Sequence, residues 1–181
     1  MLHPTDLGHK MIADLICNLL DTEYSYYKKL GAEKKPSLPE PFTASRYEDA
    51  QRFQNYSCSP VMEGFEPDTH AAEQWSDPFK GGWIAHKQGS CIKFNVSGSI
   101  IMLQYRKTIN KPAPVAYAVI DGDRQNKVLL DANFDEDWGD LCCLEEIYSG
   151  AKGEHTVEIV IDTEGKENSD FMLISVITAN K

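Results

Sequence analysis

Several things are missing from this sequence, and each absence excludes something. No apolar run approaches the ~20 residues that a membrane-spanning helix needs, so no span is expected. No basic leader runs into an apolar stretch, so no signal peptide is read. Basic residues are scarce: 18 Lys and Arg stand against 28 Asp and Glu, for a formal net charge of −10. A phosphate-rich partner requires a basic face that releases counterions, so a nucleic-acid partner is not expected. The five cysteines include no C-x-x-C, their number is odd, and Cys142 and Cys143 are adjacent. Neither a zinc site nor a disulfide framework fits that pattern. They read as reduced, mostly buried thiols, and with the missing leader they favour a cytoplasmic setting. His3, His9, His70, His86 and His155 show neither H-x-H nor H-x-x-x-H spacing, so no metal and no cofactor is expected. Neither G-x-S-x-G nor G-D-S occurs, which leaves Ser57, Ser59, Ser90, Ser97 and Ser99 outside any nucleophile motif.

What is present divides in two. Residues 4 to about 29 carry apolar side chains at Met11, Ile12, Leu15, Ile16, Leu19 and Leu20, a spacing that puts all six on one stripe of a helix. Pro4 suits the first turn, Thr5 or Asp6 can cap it, and Lys28 and Lys29 favour the negative end of the helix dipole. The stripe needs a cover, and a homodimer through this helix is one expectation. Residues 31–44, with three prolines and no apolar period, read as a linker. From Ser45 to about Pro78 a strand or two among long loops is expected.

Beyond Trp83 the period becomes two. Ile92, Phe94 and Val96 alternate with polar residues, Gly98 is read as a turn, and Ile101, Leu103 and Tyr105 follow. Val115, Tyr117 and Val119 predict another strand, Asp121-Gly122-Asp123 a turn, and Val128 to Leu130 a short strand. Residues 141–148, 155–162 and 171–178 complete about seven, with Gly150, Gly153 and Gly165 as turns. Short strands at this spacing predict a mainly β fold, an antiparallel β-sandwich or jelly roll, preceded by one long N-terminal α-helix.

The opening Leu2-His3-Pro4-Thr5-Asp6-Leu7-Gly8-His9 and the helix after it resemble the last sequence block of SGNH (GDSL-type) hydrolases, in which D-x-x-H-P-x-x-x-G-H supplies the catalytic Asp and His. The segments G-S-x-I-x-F-x-V-x-G-S-I-I, A-V-I-D-G and G-x-H-T-V-E-I-V-I resemble the jelly-roll, galactose-binding-like modules attached to carbohydrate-active members of that family. The resemblance implies three parts: residues 1–30 as the C-terminal helix segment of the hydrolase domain, 31–44 as linker, and 45–181 as an accessory β-sandwich. It places His3 on the catalytic histidine. The family's Asp, three residues earlier, and its Ser block have no counterpart among these residues. The expectation is a non-catalytic C-terminal fragment of a carbohydrate esterase whose sandwich is an accessory or glycan-binding domain. Two alternatives accompany it: an esterase half that supplies His3 in trans to a Ser/Asp-bearing chain, and a free-standing carbohydrate-binding module.

For a carbohydrate ligand, Trp75, Trp83 and Trp138 are the candidates, with Tyr105 and Tyr148 beside them. An aromatic ring offers a flat apolar face to the C–H side of a pyranose. Trp138 stands out because acidic neighbours suggest an exposed loop. That acidic run, Asp131 to Asp140, alternates oxygen ligands like an EF-hand loop. It then fails the motif, with Glu136 where Gly is required and Cys142 where the bidentate Glu should be. It reads as a solvated acidic loop, and His155 as structural.

Overall fold

Thr5 opens the first element. Its hydroxyl accepts the amide of Gly8 at 3.3 Å and its carbonyl accepts the amide of His9 at 2.9 Å, satisfying donors that a helix start leaves free. In this computed structural model, which describes residues 3–29, 43–47, 49–70, 78–163 and 167–180, the helix α1 spans Asp6–Lys29. Asp6 lies in its first turn and Lys28 and Lys29 in its last, each matched to the dipole. Lys10 and Asp14, one turn apart, meet at 2.6 Å. The apolar stripe forms as expected, yet no residue of α1 is buried. The chain divides into two units, residues 1–42 and 43–181, and the expected linker at 31–44 lies almost wholly outside the described residues.

Among its described residues the second unit has nine strands: β1 (Gln51–Phe53), β2 (Val61–Glu63), β3 (Phe65–Pro67), β4 (Trp83–Ala85), β5 (Cys91–Lys107), β6 (Val115–Ile120), β7 (Val128–Asp131), β8 (Leu141–Ile161) and β9 (Phe171–Ala179). They pair antiparallel in the order β3-β4-β9-β5-β8-β6-β7, with β1 on β9 and β2 on β5. In β5 the alternation is clean at first: Ile92, Phe94 and Val96 are buried while Lys93, Asn95 and Ser97 are exposed. One core takes residues from both ends of the strand path, Phe65 of β3 and Leu130 of β7 among them. A sheet whose far strands share one core is folded over on itself. This is the mainly β, antiparallel architecture that the alternation predicts. Trp83 meets Phe94 edge to face at 5.0 Å, and Tyr105 stacks on Phe171 at 5.9 Å.

Glycine carries the main correction to the expected strand boundaries. Gly98 does not turn the chain, because β5 runs through it for 17 residues, with a register shift between Gly98 and Ile100. A Cβ at Gly98 would stand 3.1 Å from the carbonyl oxygens of Ala179 and Ile100, so the residue serves a close backbone approach inside a bulge. Gly150 and Gly153 likewise sit within β8, a single strand of 21 residues, where pairing with β5 passes from Ser149 to Gly153. Gly165 lies outside the described residues.

Strand β6 also departs from expectation. Its core face is Ala116 and Ala118, almost without exposure, while Tyr117 is half-buried on the other face. The small alanines hid the true register. The thiols differ too: Cys17 is exposed and the other four are half-buried, all free.

Candidate functional site

His3 stands exposed just ahead of α1, and no described carboxylate or hydroxyl hydrogen-bonds to it. A base without nucleophile and orienting acid performs no acyl transfer, so no triad is assembled among the described residues.

Of the two tryptophans among the described residues, one presents itself to solvent. Trp138 is 64% exposed and stands perpendicular to Phe134, ring centroids 5.0 Å apart. Its loop is anchored at the base. The amide of Thr108 donates to Ala132 at 2.8 Å, and that of Phe134 donates to Thr108 at 3.0 Å. Asp131 accepts the backbone amide of Asn133 at 2.8 Å and its side-chain amide at 2.6 Å, while Asn133 accepts the amide of Ala113 at 2.9 Å. Lys111 pairs with Asp135 at 2.5 Å, which holds the Asp135 carboxyl below the usual carboxylate range. Three of the residues that suggested a calcium loop, Asp131, Asn133 and Asp135, are thus engaged in fastening the loop beneath Trp138. Trp83 is corrected: at 1% exposure it is core, with no face free for a sugar. Tyr105 is buried as well, and Tyr148 spends its hydroxyl on Ala151 at 3.0 Å. Trp75 lies outside the described residues.

Two histidines are held by carboxylates. His155 Nδ1 lies 2.7 Å from Asp121 Oδ2, and the other oxygen of Asp121 accepts the amide of Thr156 at 2.8 Å. The hydrogen bond from His155, then that from Thr156, lowers the Asp121 carboxyl below its ordinary value. Asp121 sits at φ 51, in the turn that the sequence marks. The A-V-I-D-G and G-x-H-T-V segments are therefore two halves of one clamp, and His155 is structural in that sense.

The second of these, His86, was not singled out by sequence reasoning. Its Nε2 lies 3.0 Å from Glu66 and its Nδ1 2.6 Å from Asp170, which raises its affinity for a proton. No spacing rule could find it, because its partners are 20 residues upstream and on a separate loop. Among the described residues no group of three His, Cys, Asp or Glu side chains is placed to hold a metal ion.

Neither a protein-family model nor a curated protein matches the chain. Solved structures do. A two-domain esterase (CEX) active on acetylated mannans, co-crystallised with mannopentaose, is 41% identical over 99% of this chain, with a TM-score of 0.81. Another structure described as a two-domain esterase (CEX) active on acetylated mannans is 40% identical over 99% of the chain, with a TM-score of 0.83. The chain spans about half the length of each, 48% and 49%. Along nearly its whole length, the chain is therefore a relative of two-domain carbohydrate esterases, corresponding to about half of such a protein.

Proposed function

We propose that these residues form the non-catalytic, accessory part of an SGNH-type carbohydrate esterase. In this reading α1 is the closing helix of the hydrolase domain, and the β unit binds glycan on the Trp138 loop. The observation that carries it is 41% identity across 99% of the chain to about half of an esterase active on acetylated mannans. Trp138 supports the glycan reading: a large aromatic ring held out on a fastened loop offers a stacking surface at little further ordering cost. The stripe on α1 supports the helix assignment, since seven large apolar side chains from Leu7 to Leu20 stay exposed and call for a partner surface.

The test is electrophoresis of the purified chain through gels containing mannan, acetylated or deacetylated. Retardation that is lost in Trp138→Ala supports the reading. Equal retardation in both proteins removes Trp138 from the ligand, and no retardation in either gel leaves the β unit a packing role only.

A second reading has its own observation, the exposed position of His3 directly before the uncovered stripe. A separate chain bearing Ser and Asp could dock on α1 and take His3 as its base. Co-expression with such a half and an ester-hydrolysis assay decides it; activity no higher than that of either half alone rejects it.

A further inference from the structure

Strands β5, β8, β6 and β7 turn one face to the core; on the other, Lys93 is exposed, Cys91, Tyr117, Glu158 and Val160 are half-buried, and Val119 is buried. Register sets Lys93, Glu158 and Val119 in one row of that outer face, and Cys91, Val160, Tyr117 and Leu129 in the next. Across these two rows lies a groove of about 350 Å³ lined by Tyr117, Val119 and Val160, with Gln88, Arg124 and Lys127 beside them.

The charge here opposes that of the chain as a whole. Arg124 lies 3.1 Å and Lys93 3.3 Å from the same Glu158 carboxylate, a side chain 16% exposed, so one acid serves two cations. Lys127 has no carboxylate within ion-pair distance among the described residues; its ammonium stands 3.4 Å over the centre of the Tyr117 ring. Counting Lys93, Arg124 and Lys127 against Glu158 and Asp162 leaves one positive charge unmatched, on a protein whose net charge is −10. An unmatched ammonium beside an apolar floor fits a ligand that is an anion on one side and a hydrocarbon surface on the other.

We propose that this groove binds a carboxylate-bearing sugar, a uronic acid residue within a glycan chain. The volume suits a ring of that size. The carboxylate meets Arg124 and Lys127, the ring's C–H face lies against Tyr117 and Val160, and Gln88 and Asp162 receive its hydroxyls. A bare inorganic anion makes no use of the floor, and a neutral sugar makes no use of Lys127. The proposal rests on the reading of the β unit as carbohydrate-binding, but it shares no residue with the Trp138 loop.

The experiment is a ¹⁵N NMR titration of the whole chain with trigalacturonic acid, mannopentaose and sodium acetate in turn. Trigalacturonic acid is expected to shift the amides of Gly89, Tyr117 and Lys127, with an affinity that weakens as salt is raised. Lys127→Gln, folded by the same spectrum, should bind about tenfold more weakly. The proposal is overturned if mannopentaose moves these amides as strongly, if acetate alone binds as tightly, if no shift occurs, or if Lys127→Gln binds unchanged. Failure of the accessory-domain reading looks different: mannopentaose leaves the Trp138 loop unmoved while the groove response persists.

Discussion

Trp83 and Trp138 share a side chain and differ in everything that surrounds it. Trp83 fills the core against Phe94, so Trp83→Ala opens a cavity and should cost about 3–5 kcal/mol, read as a lowered urea midpoint. Trp138→Ala removes an exposed ring and should move that midpoint by no more than about 0.5 kcal/mol while weakening glycan binding. His86 gives a pH signature. The hydrogen bond to Glu66, then that to Asp170, raises its folded value above the unfolded one, which lies near pH ~6.5. The stability it contributes is full below that unfolded value and is lost as pH rises through the raised folded value. A urea midpoint that declines through this window in the native protein, and stays flat there in His86→Gln, is the expected pair of results. Asp121 works in the opposite sense. Its lowered carboxyl contributes stability above about pH 4, lost as pH falls through the folded value, and His155→Gln should reduce that acid sensitivity.

At the scale of elements, long-period patterns were legible in the sequence and backbone proximity was not. The stripe on α1 and the alternation at Ile92, Phe94 and Val96 follow from side-chain spacing alone, and both appear as read. A glycine in a strand has two readings, turn or bulge, and the choice depends on which backbone lies beside it. Ala179 decides for Gly98, and it is 81 positions away in sequence. The candidate site was legible to the same degree. Trp138 was marked by its acidic neighbours, whereas Trp83 looks identical in sequence until Phe94 and Leu173 are placed around it. Gly82 makes the point testable. A Cβ there would fall 2.0 Å from the carbonyl oxygen of Leu173, which is backbone and cannot swing aside. Gly82→Ala should therefore cost about 1–3 kcal/mol by forcing β4 from β9, measured by urea denaturation. For α1, each large apolar side chain left in water forgoes about 1.5–3 kcal/mol relative to burial. By itself, the purified chain should pair through this stripe. Light scattering should give a dimer for the native chain and a monomer for Leu15→Lys with Leu19→Lys; a native monomer would reject the pairing.

At the scale of the whole molecule, every buried side chain among the described residues lies between Gln54 and Ala179, and none lies in α1. Helix nucleation is costly, and in proteins most helical stability comes from packing an apolar face rather than from propensity. The two units therefore draw on different sources of stability. The β unit has its core within itself, joined by the long pairing of β5 with β8. A chain beginning at Thr43 should accordingly fold without α1, unfold in urea in a single transition, and keep the midpoint of the 181-residue chain to within about 0.5 kcal/mol. It should also keep the response of the Trp138 loop to mannopentaose, because the bonds that fasten that loop run from Thr108, Ala113 and Lys111. Near-ultraviolet circular dichroism follows the packed aromatics Trp83, Tyr105 and Phe171, and so reads this core directly. A shortened chain that loses this signal gradually, or at much lower urea, would show that residues 1–42 help to hold the core, and the helix would then be a structural part of the β unit.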